Sequence, residues 1–437
     1  MSRTKIYFLC SVFAIFALLS AGLAACGEDE ATTTTAGATT TAGEATTTTA
    51  QADTASTTSA APSGEARVLK IGTIMPQTGP LAILGLSFTR AWDLYAEDTN
   101  GAGGVQIGSD TYTIEFIHED SKGSTEGAST AASKLVNQDK VDLVIGAILE
   151  SEMAAIDQVT EAAGVLYAQA NANIPGAPQD VGPDKPLQVR PFINHDDTQP
   201  IDLEYILETY PDAKKIALSV PDIGYEGMVE RLQTQAAARG FEIVAQEKWP
   251  WGTTDFVPIM TKLNGAGPDI IWAMVSGQAN DQLKAARQLG FDGVFVSNSP
   301  LGADVFQVTV QDPAALTDVI CNSVDVTNPT PEIQKLIDAW SANWPNDPFI
   351  SDAVHAYDMP WVMVQVMQKA GTTDAATVVA TMEGMTNPGD LQTLHGPGYI
   401  GGEDRFGVNR VLYRPLPLSR LMNGEIEFIG FKEPLAE

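Results

Sequence analysis

The feature that most constrains the fold is an alternation of short apolar runs with helical patterns, and this alternation occurs twice along the chain. The first series covers residues 68–168 and the second covers residues 215–296, with an irregular stretch, 171–200, between them. Short apolar runs bounded by turn residues favour buried strands, whereas apolar residues at helical spacing favour helices. Strands that alternate with helices predict parallel sheets with helices on both faces.

The individual elements follow from the same patterns. Strands are predicted at 68–74, 111–118, 141–145, 165–168, 215–220, 241–245, 269–274 and 293–296. Helical patterns cover 88–101, 128–136, 156–159, 225–239, 256–263, 281–289, 331–344, 352–369 and 375–385. The end of the chain, 396–437, is rich in Gly, Arg and short β-like pieces. The fold class is therefore α/β, with two doubly wound lobes of similar size.

Two such lobes suit one kind of function. Ligands bind at the carboxyl ends of parallel strands, where the strand order of a doubly wound sheet reverses. Two of these edges that face each other form a cleft that can close by a hinge motion. Closure removes water from a small polar ligand and satisfies its hydrogen bonds from both sides. The pattern therefore indicates a solute-binding protein.

The N-terminus predicts export and a lipid anchor. Arg3 and Lys5 precede an apolar run at 6–19, which is shorter than the roughly 20 residues of a membrane-spanning helix. Small residues follow, and the segment 23–27 reads LAACG, which resembles a bacterial lipobox. We predict a signal peptide at 1–25 and a lipid on Cys26 that anchors the protein, outside the cytoplasm, to the bacterial cell membrane. A plain signal peptide with a chance cysteine is the alternative.

Composition defines the next segment and excludes one class of partner. Residues 26–66 are Thr, Ala, Gly, Ser and a few acids, which predicts a disordered tether because so few large apolar residues could form a core. The chain carries 55 acidic against 25 basic side chains, a net charge of −30. Such a chain repels phosphate backbones, so a nucleic-acid partner is not expected.

Motifs for catalysis, metals and cofactors are missing from the sequence. Cys10 lies in the signal peptide and Cys26 is the lipid site, so Cys321 has no disulfide partner and is expected to be a small buried residue. The run His118-Glu119-Asp120 lacks further histidines at metal-ligand spacing. There is also no phosphate-binding loop and no nucleophile elbow. We predict no catalytic residue, no metal and no cofactor.

A series of motifs resembles the branched-chain amino-acid-binding (Leu/Ile/Val-binding) family of ABC-transporter substrate-binding proteins. The motifs occur in the family's order over about 68–390, and the tail from Leu391 matches poorly. They are IGTIMPQTGPLA at 71–82, NGAGGV at 100–105, HED at 118–120, KLV at 134–136, KVDLVIG at 140–146, GY at 224–225, TDF at 254–256, AGPD at 266–269 and AARQLG at 285–290.

This resemblance implies a type I periplasmic binding fold whose two lobes are joined by a three-segment hinge. Lobe one would take 67–193 plus 323–405, and lobe two would take 194–322 plus 406–437. The implied function is extracytoplasmic capture of a small polar solute, an amino acid or an amide-like compound, and its delivery to the permease and ATPase subunits of an ABC importer. A ligand sensor of the same fold that docks on a signalling receptor is the alternative.

The resemblance also implies which residues contact the ligand, since the family uses loops at the strand ends of both lobes. Lobe one would contribute Leu84, Glu150, Ser151, Ala170, Asn171 and Asn173, and lobe two would contribute Tyr225, Ser276, Gly277 and Ser299. Tyr225 would stack or hydrogen-bond across the cleft.

Two departures from the family's pattern bear on the ligand. Amino-acid binders of the family carry an acid near the position of Ser299 to balance the ammonium of the ligand, and a buried ammonium without a counter-charge is costly. Glu150 stands where a small hydroxyl residue is usual; it could be the ammonium partner or point to solvent. An amide, a urea-like compound, a cationic amine or another small polar solute is therefore as much expected as an α-amino acid.

Overall fold

Parallel strands form the framework of the computed structural model, which describes residues 66–79, 81–170, 180–222, 224–274, 277–298, 302–347 and 349–434. The helices are α1 (Ala82–Gly101), α2 (Thr125–Lys134), α3 (Glu150–Ala163), α4 (Thr198–Thr209), α5 (Glu226–Ala238), α6 (Val257–Gly265), α7 (Ala279–Gln288), α8 (Ala303–Thr309), α9 (Pro331–Asn343), α10 (Asp352–Ala370), α11 (Ala375–Glu383) and α12 (Glu403–Phe406). A π-helical turn, Leu135–Asp139, extends α2, and a 3-10 turn, His195–Asp197, precedes α4.

The strands are β1 (Ala66–Met75), β2 (Val105–Ile107), β3 (Asp110–Asp120), β4 (Leu143–Gly146), β5 (Leu166–Gln169), β6 (Gln188–Val189), β7 (Lys215–Pro221), β8 (Glu242–Trp249), β9 (Ile270–Ala273), β10 (Val294–Ser297), β11 (Val319–Cys321), β12 (Leu391–Thr393), β13 (Gly396–Gly401), β14 (Val411–Tyr413), β15 (Leu416–Met422) and β16 (Glu425–Lys432).

Two larger sheets organise these strands. The first sheet has the order β2-β3-β1-β4-β5-β6, and only β2 pairs antiparallel. The second sheet has the order β16-β15-β11-β10-β9-β7-β8, in which β7 to β11 are parallel and β15 and β16 are antiparallel. Both orders are doubly wound, so the predicted α/β class with two parallel-sheet lobes is confirmed.

Alternating side chains bury both faces of the second sheet. Ile216, Leu218 and Val220 of β7 pack on one face, against α4 and α5, while Ala217 faces the opposite side with α6 and α7. Because parallel strands are covered on both faces, they consist almost entirely of apolar residues. This pattern is the one that made the strands predictable from the sequence.

The interpretation of 171–200 as an irregular stretch is wrong at its end, because α4 begins at Thr198. Pro200 lies in the first turn of α4, where the N–H that it lacks has no partner within the helix in any case. Buried polar residues, including Gln199 and Asp202, interrupt the apolar periodicity that predicts helices. The predicted strand at 241–245 is also too short, since β8 continues to Trp249.

The C-terminal tail is divided between two sheets. β12, β13 and β14 form a small antiparallel sheet, whereas β15 and β16 extend the second sheet beyond β11. The backbone of Arg190 joins this tail to the segment after β6, because its N–H donates to Arg410 O at 2.8 Å and its carbonyl accepts from Leu412 N at 2.9 Å. The chain therefore crosses between the sheets in close parallel segments.

A buried cluster of charges holds these crossing segments together, and we call it the hinge network (Asp180, Arg190, Asn194, Asp196, Asp197, Arg231 and Arg405). The Arg405 guanidinium lies 2.5 Å from Asp196 Oδ2 and 2.6 Å from Asp197 Oδ1. Arg231 of α5 lies 3.3 Å and 3.5 Å from the same two carboxylates. Arg190 pairs with Asp180 and donates to Asn194 Oδ1 at 2.5 Å.

Candidate functional site

The strand ends of the first sheet converge at one edge. Ala170 follows β5, is buried, and donates its N–H to the carbonyl of Gly146, the last residue of β4, at 3.1 Å. Gly146 has φ +150°, and a Cβ at this position would lie 2.3 Å from Ile74 O. Glycine is therefore needed where β4 passes the end of β1. The loops that follow β4 and β5 consequently begin side by side.

A single carboxylate fixes the loop after β1. Asp120, at the end of β3, accepts the Gln77 N–H at 2.9 Å, the Lys122 N–H at 2.8 Å and the Thr78 hydroxyl at 2.6 Å. Burial raises the pKa of Asp120, but these hydrogen bonds to its charged form outweigh burial and lower the pKa overall. The loop is thereby held next to the other two strand ends.

The predicted contacts of the first sheet occupy the starts of two helices. Leu84 lies in the first turn of α1 and is partly buried. Glu150 and Ser151 open α3, with Glu150 partly buried and Ser151 exposed. Glu152 of the same turn is fully buried and accepts the Leu149 N–H at 3.2 Å, which fixes the approach of the loop to α3.

The second sheet presents Tyr225 directly before α5. The preceding loop is fixed by a bond from Asp222 N to Trp249 O of 2.8 Å, and Trp249 in turn donates its ring N–H to Ser219 Oγ at 3.0 Å. Asn298, which follows β10, is buried and donates to Thr198 Oγ1 of α4 at 2.8 Å. Gly277, after β9, is exposed.

Of the predicted contacts, the structure brings Glu150 and Tyr225 together from opposite sheets. Burial is the main cause that raises the pKa of Tyr225, and the nearby Glu150 carboxylate raises it further, because a second negative charge would be repelled. Cys26, Asn171, Asn173, Ser276 and Ser299 lie outside the described residues. Ala170 and Gly277 follow strand ends and Leu84 lies in the first turn of α1, and none of the three has a side chain that can form a hydrogen bond.

Sequence reasoning missed two acidic residues at the same edge, Asp304 of α8 and Asp352 of α10. Asp352 is buried, and Asp304 is partly buried near it. An acid in the first turn of a helix is common, because it interacts favourably with the helix dipole. That sequence signal therefore does not distinguish Asp304 and Asp352 from acids at other helix starts. Only the structure distinguishes them, because it brings the start of α8 close to the start of α10.

Other candidate sites carry less chemistry. Surface depressions of about 470 Å³ between α1, α9 and α10, and of about 490 Å³ around Tyr210 and Asp292, lie away from the converging strand ends. Across the described ranges, no group of three or more His, Cys, Asp or Glu side chains could hold a metal ion. Cys321 is fully buried, and burial raises the pKa of its thiol, as expected for an inert residue.

None of the helices in the described ranges is long and apolar enough to cross a membrane.

Two doubly wound sheets whose strand ends meet across a hinge define a two-lobed solute-binding protein. The family model "Periplasmic binding protein" matches residues 68–413. The chain therefore belongs to the periplasmic binding protein family, as the resemblance in the sequence predicted. It is a solute-binding protein that functions in transport. The predicted type I periplasmic fold is confirmed, and so is the prediction that the protein is not an enzyme. Membership also confirms an extracytoplasmic location.

Individual relatives agree with this assignment. The Leu/Ile/Val-binding protein homolog 7 of Brucella suis is 24% identical over 327 residues, which cover 71% of this chain and 79% of that protein. The structure of LivJ from Streptococcus pneumoniae in complex with isoleucine has a TM-score of 0.66 at 20% identity and covers 84% of this chain and 100% of its own. A solute-binding protein of an ABC transporter from R. palustris, in complex with 4-hydroxybenzoate, has a TM-score of 0.67 at 20% identity and covers 84% of this chain and 98% of its own.

Proposed function

We propose that the protein captures a small polar solute, an amino acid or an amide-like compound, between its two lobes and delivers it to the permease and ATPase subunits of an ABC importer. Lobe one comprises 67–193 plus 323–405, and lobe two comprises 194–322 plus 406–437. The ligand contacts are Leu84, Glu150, Ser151, Ala170, Asn171, Asn173, Tyr225, Ser276, Gly277 and Ser299.

The observation that carries this proposal is the approach of Glu150 and Tyr225 from opposite sheets. Glu150 starts the helix after β4, and Tyr225 stands before the helix after β7. Both strands are parallel, so both residues lie at the carboxyl edge that binds ligands in doubly wound folds. A solute placed between a carboxylate and a phenol ring receives hydrogen bonds and stacking from both lobes.

The test is a thermal-shift and calorimetric screen of the full-length protein against leucine, isoleucine, valine, glutamine, acetamide, urea and benzoate. A solute that binds the folded form alone raises the melting temperature by mass action. Tyr225→Ala is expected to weaken the affinity by about tenfold or more, equivalent to roughly 1.4 kcal/mol. Tyr225→Phe separates the ring from the hydroxyl.

Glu150→Gln has a matched control in Glu208→Gln, because Glu208 is an exposed acid in α4. Both changes remove one negative charge, and only the first is expected to alter the affinity. If every variant bound the same solute with the affinity of the unmodified protein, the assignment of the cleft residues would be wrong.

We also propose that a lipid on Cys26 anchors the protein to the membrane through the tether 26–66. Leu23, Ala24 and Ala25 before the cysteine support this proposal. The Cys26→Ala variant is expected to leave the membrane fraction in an export-competent bacterial host, whereas the unmodified protein remains in it. Equal membrane retention of the two proteins would contradict the anchor.

A further inference from the structure

A compact polar cluster lies where the second sheet meets the start of α10. Gly302 and Asp304 follow the carboxyl end of β10, and Ser323 follows the carboxyl end of β11. Ser351 and Asp352 begin α10, whose apolar residues pack into the core beside α1 and the first sheet. The cluster is therefore built from both sides of the cleft at its ligand-binding edge.

The polar atoms of this cluster converge on one point. A Cβ on Gly302 would lie 2.3 Å from Asp304 Oδ1 and 2.3 Å from Ser351 Oγ. Ser323 Cβ lies 3.3 Å from the same position, and Ser323 Oγ accepts the Ala303 N–H at 3.0 Å. A Cβ at 302 would therefore require the Asp304 carboxylate and the Ser351 hydroxyl, which belong to different elements, to move apart.

The two carboxyl groups lack the cations that accompany most other buried acids of this protein. Asp180, Asp196, Asp197 and Asp358 each lie beside an arginine. Within the described ranges, neither Asp304 nor Asp352 forms an ion pair, and the buried Asp304 Oδ1 has no hydrogen-bond partner. Asp352 is only 5% exposed. Backbone N–H groups donate to both carboxyl groups, but a buried carboxylate without a counter-charge is costly unless a ligand supplies the missing positive charge.

The pKa values of Asp304 and Asp352 agree with a site that lacks a counter-charge. Burial, with a smaller contribution from the neighbouring Asp304, raises the pKa of Asp352 to about 8. Burial also raises the pKa of Asp304. Two acids that repel each other in a partly dry site accept an organic cation readily, because its charge replaces the protons that they would otherwise retain.

We infer that Asp304 and Asp352 together recognise a cationic group of the transported solute, an ammonium or an amidinium, within the cleft. This inference rests on the proposed solute-binding function and narrows its ligand class. An organic cation fits better than a metal ion, because the described residues offer no third carboxylate, histidine or thiolate at this point. The pair also supplies the counter-charge that the sequence lacks at Ser299.

The test uses the full-length protein and compares probes that share an apolar skeleton and differ in their charged groups. The first series is isoamylamine, leucine and 4-methylpentanoate, and the second is benzylamine, benzamide and benzoate. Dissociation constants are measured by calorimetry for the unmodified protein, Asp352→Asn, Asp304→Asn and the control Asp212→Asn. Asp212 is exposed and precedes β7, so it lies at the opposite edge of the second sheet.

In at least one series, a probe that carries an ammonium group (isoamylamine or leucine in the first series, benzylamine in the second) is expected to bind more tightly than the probes that lack one. Asp352→Asn and Asp304→Asn should each weaken that binding by about tenfold or more, because each neutralises one partner of a buried charge pair. Asp212→Asn should leave it unchanged. Circular dichroism confirms folding, and Asp304→Asn, at the less buried position, serves as the second variant should Asp352→Asn fail to fold.

Three results would overturn the inference. Preferred binding of 4-methylpentanoate, benzoate or benzamide would show that the solute needs no positive charge, and the proposed function would stand. An Asp352→Asn or Asp304→Asn protein with a changed melting temperature but an unchanged dissociation constant would assign the pair a structural role. Absence of binding by every probe in both screens, to a folded protein, would count against the proposed function as well.

Discussion

At the scale of single residues, Asp202 shows how burial changes the chemistry of a carboxyl group. It lies in α4 and is fully buried, and its Oδ1 accepts from Asn322 Nδ2 at 2.8 Å. Its Oδ2 has no hydrogen-bond partner among the described residues. Burial raises the pKa of Asp202 to about 8, and the bond from Asn322 offsets only part of this increase. Near neutral pH, the folded protein therefore holds a proton on this group.

The Asp202→Asn variant is expected to alter the pH dependence of stability. An unfolded chain loses the aspartate proton near pH 4, whereas the folded protein keeps it up to about pH 8. Across that window the folded state binds more protons, so the free energy of unfolding falls as pH rises. Asparagine keeps the shape and the bond to Asn322 without this penalty. We expect the variant to match the unmodified protein at pH 4 and to be more stable by about 1–3 kcal/mol at pH 8.5.

Urea denaturation at pH 4, 7 and 8.5 measures this difference. Asp212→Asn is the control, because Asp212 is exposed and the same charge is removed there without burial. If the difference between Asp202→Asn and the unmodified protein were the same at all three pH values, Asp202 would not titrate as its environment requires.

At the scale of elements, the loop after β1 depends on a residue of another strand. The three hydrogen bonds accepted by Asp120 stabilise its charged form and fix the backbone of Gln77 and Lys122. Asp120→Ala should therefore destabilise the protein by about 1.5–4.5 kcal/mol, since it removes three such bonds and each contributes roughly 0.5–1.5 kcal/mol. Amide hydrogen exchange should increase at Gln77 and Lys122. Unchanged exchange at these two amides would contradict the role given to Asp120.

Elements also differ in how far the sequence predicts them. The strands of the two parallel series are short apolar runs between turns, so β1, β4, β5, β7, β9 and β10 were predictable. α4 was not, because Pro200 and Asp202 interrupt its pattern, and β11 and α8 are too short to show one. The predictions for Glu150 and Tyr225 as ligand contacts, which stay predictions, followed from a family resemblance. Asp304 and Asp352 did not, because their convergence depends on how distant segments pack.

At the scale of the whole molecule, we expect the hinge network to connect ligand capture to lobe movement. Asp196 and Asp197 lie just before α4, Arg405 lies in α12 of the tail, and Arg231 lies in α5. Because α5 begins directly after Tyr225, Arg231 links a proposed ligand contact to the crossing segments. Ion pairs that are shielded from water are little affected by salt, so this connection should persist at physiological ionic strength.

Arg231→Gln is therefore expected to loosen the connection between α5 and the hinge. Arg405 still neutralises Asp196 and Asp197, so the loss of stability should be about 1–2 kcal/mol rather than the roughly 3–5 kcal/mol of a fully broken buried pair. The solute found in the screen should bind several-fold more weakly. Small-angle scattering should show a larger radius of gyration without solute, because more orientations of the lobes become accessible.

Arg239→Gln is the matched control for this prediction. Arg239 ends α5 and pairs with Glu204 at 2.8 Å, and more than a fifth of its side chain is exposed, so its loss should cost less than about 1 kcal/mol and leave the affinity unchanged. Equal radii and equal affinities for the two variants would mean that the hinge network only stabilises the fold. A larger radius for Arg231→Gln that returns to the value of the unmodified protein when solute is added would show that the network sets the balance between open and closed lobes.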